Sequence, residues 1–247
     1  MSSLAHPTET FTTRLARVED AIAAACRQAG RPRDAVRLMA VSKTHPATAI
    51  AEAVAAGITL FGENRVQEFQ RKSEDLAALG IRNAEVHLIG HLQSNKSAKT
   101  AEIFSAIDTL DSLHLARRLE TAAATLNKIL PVLIEIKLSD EAAKTGLDPE
   151  SNALRDLLQH LPEMPHLKMR GLMTIAPFTS DDAITRDCFR SLRRLRDTLA
   201  AAHPGLDFSE LSMGMSGDFA IAIEEGSTCV RIGTAIFGKR QPVTEVT

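Results

Sequence analysis

A lysine follows directly on the apolar run Leu38-Met39-Ala40-Val41, in the segment LMAVSKTHP. Most lysines are solvated surface charges, and that reading holds for the bulk of those in this chain. Lys43 differs, because if the run is a β-strand the amine emerges at the strand's end. Desolvation and nearby cations there lower an amine's pKa and make it nucleophilic, and its natural chemistry is a Schiff base with a carbonyl compound. A second group lies far along the chain, with Ser212, Gly214, Met215 and Ser216 in LSMGMSGD and Gly233 and Thr234 in VRIGTA. Small residues, hydroxyls and backbone N–H groups running into a helix start suit a phosphate dianion. An ordinary flexible turn with a helix cap would have the same composition. The third feature is Arg231, set between Val230 and Ile232. A guanidinium among apolar residues needs an acceptor, because burying it unpaired is very costly. A carboxylate of the protein would serve, and so would a ring nitrogen or carboxylate of a ligand.

These groups act together only if the elements between them bring them to one place. The first element reads as a helix, with Phe11, Leu15, Val18, Ile22 and Cys26 at i+3/i+4 spacing and Gly30 and Pro32 ending it. Eight short β-rich runs follow, at residues 36–42, 58–62, 85–90, 104–110, 131–138, 169–175, 208–213 and 229–234. Helical patterns fall between them at 46–56, 64–79, 95–103, 113–126, 150–161, 182–202 and 217–224. Asn64 with Gln67 three residues later has the spacing of a capping box. Strand–helix alternation implies a parallel sheet with right-handed crossovers, and eight units in about 250 residues fit a (β/α)8 TIM-type barrel. An open doubly wound sheet is disfavoured, because the first strand-to-helix turn, SKTHP, has no G-x-G-x-x-G. The expected architecture is therefore one α/β barrel domain over residues 1–247, with residues 1–34 as an N-terminal helical extension and connector. In such a barrel the chemistry sits at the C-terminal ends of the strands. That rim would hold Lys43, Asn64, His91, Lys137, the SMGMS turn, Arg231 and Gly233-Thr234.

Composition narrows the chemistry. The 29 basic and 31 acidic residues leave a net charge of −2, which gives no bulk electrostatic case for nucleic acid or an anionic membrane. Trp and Tyr are both absent and Phe occurs nine times, so mechanisms that need a tyrosine acid or base are disfavoured. Three cysteines, Cys26, Cys188 and Cys229, are too few and too scattered for a disulfide framework or a zinc site. His87 and His91 in HLIGH mimic a zinc pair but lack the glutamate of H-E-x-x-H, so no metal is expected. Lys96 and Lys99 read as a solvated helix face. No signal peptide and no stretch of about 18 apolar residues is seen, and a soluble, reduced, cytoplasmic protein is expected.

An amine, a phosphate nest and an arginine on one rim suggest a phosphorylated carbonyl compound. Pyridoxal 5′-phosphate (PLP) offers an aldehyde, a phosphate and a ring nitrogen, one for each group. A sugar phosphate handled by an aldolase-type lysine would use the first two and leave Arg231 without a purpose.

Read in order, AVSKT (40–44), FGEN (61–64), HLIGHLQSNK (87–96), RGLM (170–173), SMGMS (212–216) and EGSTCVRIGTAIFG (225–238) closely resemble the pyridoxal phosphate homeostasis family, the YggS-type PLP-binding proteins. The match runs from about Leu38 to Gly238, and this family in turn resembles the barrel domain of alanine racemase. The resemblance implies that Lys43 is the Schiff-base lysine and that Arg231 faces the pyridine nitrogen. Ser212, Gly214, Met215, Ser216, Gly233 and Thr234 would hold the phosphate, and Asn64 would lie beside the cofactor. A guanidinium only donates hydrogen bonds, so the ring nitrogen would stay unprotonated and the electron sink would be weak. Racemases of this fold resemble two-base machines, with a lysine on one face of the substrate and a tyrosine from a second domain on the other. With no Tyr and no residues left for a second domain, the expected function is intracellular PLP (vitamin B6) homeostasis by a monomeric holder without robust catalysis, in transient contact with PLP-dependent apo-enzymes. A Schiff-base enzyme, either a weak amino-acid racemase or an aldolase or lyase, is the alternative. Arg65 and His91 stand where relatives often carry an aromatic and a proline, and Lys137 adds an amine of unassigned role.

Overall fold

A computed structural model describes residues 9–139 and 145–238 of the chain. Residues 1–8, 140–144 and 239–247 of the expected 1–247 unit lie outside the described residues. Helix α1 (Phe11–Gln28) starts at Thr10, whose side chain accepts from the Thr13 N–H, and buries Phe11, Val18, Ile22, Ala25 and Cys26. That stripe follows the apolar spacing in the sequence and packs on α8 (Phe219–Glu224) and α9 (Thr234–Phe237).

Eight parallel strands then close into a barrel in chain order: β1 (Arg37–Val41), β2 (Leu60–Glu63), β3 (Glu85–Leu88), β4 (Ala106–Leu110), β5 (Leu130–Glu135), β6 (Leu167–Met173), β7 (Glu210–Ser212) and β8 (Cys229–Ile232). The ring closes through β1 and β8, with Met39 beside Arg231 and Ala40 beside Ile232. The crossovers are α2 (Ala47–Ala55), α3 (Val66–Ala78), α4 (Ser97–Ile103), α5 (Leu113–Thr125), α6 (Asn152–His160), α7 (Asp182–Ala202) and α8.

Strand parity divides the core in two. Ala40, Phe61, Val86, Leu88, Val230 and Ile232 face outward into the large shell between barrel and helices. Met39, Leu60 and Cys229, with Ile89 against them, form a separate cluster on the inner side of the neighbouring strands β8, β1 and β2. In a barrel of this kind the C-terminal ends of the strands form the floor of the site.

The expected barrel is the one observed; strand ends differ by up to three residues, as where β5 ends at Glu135 rather than 138, and two of the differences bear on the site. Asn64 and Gln67 form no capping box: the helix starts one residue later, with extended Arg65 in the capping position and no side-chain cap. Strand β8 stops at Ile232 rather than 234, because Gly233 leaves the extended conformation and Thr234 opens α9.

Candidate functional site

Lys43 stands just beyond β1 and is half-buried. It occupies a tight turn over residues 42–45, closed by the His45 N–H donating to the Ser42 carbonyl at 3.0 Å. Thr44, third in that turn, has φ +66, a left-handed value that a β-branched residue seldom adopts. Next to it, the His45 ring stacks on Phe237 of α9 with centroids 4.9 Å apart, so the β1 turn rests on the chain that leaves β8.

Arg231 projects into the barrel from β8 and is 4% exposed. One Nη donates to Ser212 Oγ and the other to the Thr174 carbonyl, each at 2.8 Å. Its partners are therefore a hydroxyl and a carbonyl rather than a carboxylate, so it is not held as one half of a close ion pair. Burial pulls its pKa below the ordinary guanidinium value, opposed by the field of Asp108, Asp218 and Glu135. The Cys229 thiol below it is pushed up to about 12 by burial and is neutral.

The turn after β7 is stitched to β8 by the Arg231 N–H donating to the Gly214 carbonyl at 2.9 Å. Gly214 has φ +97, and a Cβ there would come 2.6 Å from the Ala222 Cβ, so only glycine lets this turn press onto α8. A Cβ on Gly233 would come 3.2 Å from the Val41 carbonyl, where the chain crosses the end of β1. Ser216 and Thr234 are exposed at this corner, while Ser212 is fully buried and engaged with Arg231. The Met215 N–H already donates to the Asp218 carboxylate at 2.5 Å, and burial raises the pKa of that carboxyl.

Asn64 follows β2 and is half-buried, with Gly90 so close that a Cβ would meet the Asn64 carbonyl oxygen at 2.3 Å. His91 is exposed and lies 3.2 Å from Asp111, and Arg65 is exposed at the start of α3. Lys137 is half-buried just past β5, its backbone N–H donating to the Leu147 carbonyl at 2.9 Å. His87 does not join His91: it lies toward the opposite end of the barrel, 2.9 Å from both Glu85 and Asp108. Among the described residues no group of three or more His, Cys, Asp or Glu side chains could hold a metal ion.

Sequence reasoning missed two buried features. Glu135, in β5, accepts from Thr145 Oγ1 at 2.9 Å, and burial raises its pKa. Beneath the Lys43 turn, Lys72 and Glu63 form a buried ion pair at 2.6 Å. The signal for the latter was present, since Lys72 stands on the apolar stripe of α3 with Val66, Phe69 and Leu76.

The donor set suits an elongated anionic carbonyl compound. An amine lies at the end of β1, and a guanidinium without a carboxylate partner among the described residues lies in the neighbouring β8. Hydroxyls and glycine backbone form the β7–β8 corner, closed to larger side chains at Gly214 and crowded at Gly233. Residues 14–241 match the family of the alanine racemase N-terminal domain. A pyridoxal phosphate homeostasis protein of Pasteurella multocida (strain Pm70) is 45% identical over 231 residues, which is 94% of this chain and 98% of the relative.

The chain belongs to the pyridoxal phosphate homeostasis proteins.

The structure of PipY, the COG0325 family member of Synechococcus elongatus PCC7942, with PLP bound superposes with a TM-score of 0.81 at 40% identity, covering 93% of this chain and 100% of PipY. Alanine racemase from Clostridium difficile 630 shares the fold, with a TM-score of 0.71 at 15% identity over 94% of this chain and 58% of the racemase.

Proposed function

We propose that this chain binds PLP at the C-terminal rim of the barrel, holds it as a Schiff base on Lys43, and serves intracellular PLP homeostasis as a holder rather than as a robust catalyst. The observation that carries the reading is Arg231, a buried guanidinium with no carboxylate partner among the described residues, on the strand paired with the one that delivers Lys43. The PLP-bound PipY structure, 40% identical over nearly the whole chain, supports it.

When bound, PLP supplies an aldehyde that condenses with amines and a ring that withdraws electrons. Lys43 offers the amine. Arg231 can only donate, so the ring nitrogen it meets must accept and stays unprotonated, which weakens electron withdrawal. Ser216, Thr234 and the Gly233 backbone line the corner suited to the phosphate. Gly214 and Met215 shape that corner, the Met215 N–H being held by Asp218. Ser212 acts on the ring side by anchoring Arg231. Asn64 follows β2, the strand beside β1, where it would flank the ring.

A Schiff-base enzyme is the second reading, and the absence of any Tyr in the sequence weighs against the racemase form of it. Borohydride reduction followed by mass spectrometry separates the two. A reduced PLP adduct on Lys43, lost in Lys43→Ala while the fold persists, is the expected result. A colourless wild type that resists PLP loading overturns the proposal, and a trapped sugar phosphate would establish the aldolase. No helix among the described residues is long and apolar enough to cross a membrane. A monomeric state, with transient transfer to apo-enzymes, completes the proposal and is read by size-exclusion chromatography with light scattering.

A further inference from the structure

Underneath the turn that carries Lys43 lies a buried group of charges that none of the cofactor assignments uses. Glu63 ends β2 and is fully buried. Its Oε1 accepts from Ser42 Oγ at 2.7 Å and from Lys72 Nζ at 2.6 Å. Lys72, 6% exposed on α3, also donates to the Ser42 carbonyl at 3.0 Å and reaches Glu68 Oε1 at 3.3 Å. That same Glu68 oxygen accepts the Thr44 N–H at 2.5 Å. The chain is therefore gripped on both sides of Lys43: at the Ser42 carbonyl by Lys72 and the Ser42 hydroxyl by Glu63, and at the Thr44 N–H by Glu68.

The grip has work to do. Thr44 sits at φ +66, where turns ordinarily place glycine or asparagine, so the turn needs external partners to persist. Burying a lysine on the apolar stripe of a helix is costly unless it is paired, and an apolar side chain there would pack without that cost. The charges are thus poorly explained by packing and well explained by the turn they hold.

We infer that Lys72, with Glu63 and Glu68, is the positioning device for Lys43, fixing the 42–45 turn so that the amine meets the cofactor aldehyde. The inference rests on the reading that Lys43 takes PLP covalently. The condensation joins the Lys43 nitrogen to the aldehyde carbon and releases one water, with no oxidant or reductant involved. Lys72 touches none of these atoms. It acts through the backbone of Ser42 and through Glu68 on Thr44.

The test compares wild type, Lys72→Met, Lys72→Arg and Glu68→Gln, with Lys43→Ala as control. Two ligands are used: PLP, with loading at Lys43 followed by borohydride trapping and peptide mass spectrometry, and pyridoxine 5′-phosphate, whose alcohol cannot condense with an amine. Lys72→Met is expected to slow loading at Lys43 by about tenfold or more, as misplacement of a reacting group does. Its affinity for pyridoxine 5′-phosphate is expected to stay at the wild-type value, and Lys72→Arg should recover part of the loading. Glu68→Gln should show a smaller loss of the same kind. Loading at the wild-type rate in Lys72→Met overturns the inference, and so does an equal loss of both ligands, which would mark a purely structural pair. Should Lys72→Met fail to fold, unchanged loading in Glu68→Gln overturns it. A wild type that carries no trapped adduct on Lys43 overturns the reading of Lys43 itself, a separate and recognisable result.

Discussion

Arg231 on β8 donates to the hydroxyl of Ser212, the last residue of β7, across 2.8 Å, while its other terminal nitrogen donates to the Thr174 carbonyl just beyond β6. One side chain thus ties three successive strand ends together from inside the barrel. The guanidinium is consequently both a structural tie and a fixed donor beneath the rim.

Replacing Arg231 should separate these two roles. Arg231→Ala leaves the Ser212 and Thr174 acceptors buried without a donor, a loss of about 2–4 kcal/mol of stability. It should also weaken PLP affinity by about tenfold or more if the guanidinium faces the ring nitrogen. An unchanged dissociation constant in a folded variant would make Arg231 structural only. Urea unfolding and a PLP titration read the two effects independently.

The β7–β8 corner predicts a phosphate-specific effect. Ser216→Ala combined with Thr234→Val should weaken binding of PLP and of pyridoxine 5′-phosphate alike, and leave pyridoxal, which lacks the phosphate, unaffected. Equal losses for all three ligands would place the phosphate elsewhere.

His87 makes the stability pH-dependent. Asp108 and Glu85 outweigh burial and raise its pKa from 6.5 to about 9. The folded state binds the proton more tightly than the unfolded state. Its contribution is therefore fully present below pH 6.5 and is lost as pH rises from there through about 9. The loss should be on the order of 3 kcal/mol, less to the extent that solvent reaches Glu85. Glu85 moves the opposite way, from 4.5 to about 2, chiefly through the hydrogen bond from His87 and despite burial. Its contribution is present above pH 4.5 and fades as pH falls toward 2. Urea midpoints should therefore peak between about pH 4.5 and 6.5 for this cluster, and His87→Gln should flatten the alkaline limb.

The Lys72–Glu63 pair predicts non-additivity. Lys72→Met alone leaves the Glu63 carboxyl buried and should cost about 3–5 kcal/mol. Glu63 is already pushed up by burial, with Lys72 the main opposing charge, so the variant should bind a proton at Glu63 and lose less stability at low pH. The double variant Lys72→Met with Glu63→Leu should recover part of the loss by removing the stranded charge. Additive losses in the double-mutant cycle would show that the two side chains do not depend on each other.

The sequence by itself determined the order of eight strands and eight crossover or terminal helices, because each apolar run is short, bounded by turn residues and followed by a helical stripe. It also placed Lys43, Arg231 and the SMGMS and Gly-Thr segments at strand ends, since position in a βα unit is a local property. What it left open depends on contacts between residues distant in the chain. Whether Arg231 meets a carboxylate or a hydroxyl depends on what β6 and β7 deliver inside the barrel, and the fold delivers Thr174 and Ser212. That the Met215 N–H turns to Asp218 and that β8 stops short to let α9 begin are likewise decided by how the β7–β8 corner closes. Lys72 was visible as a charge on an apolar stripe, but its meaning was not. Only the pairing of β1 with β2, and the packing of α3 across them, puts Ser42, Glu63 and Lys72 within hydrogen-bond reach and turns a misplaced lysine into the clamp on the Lys43 turn.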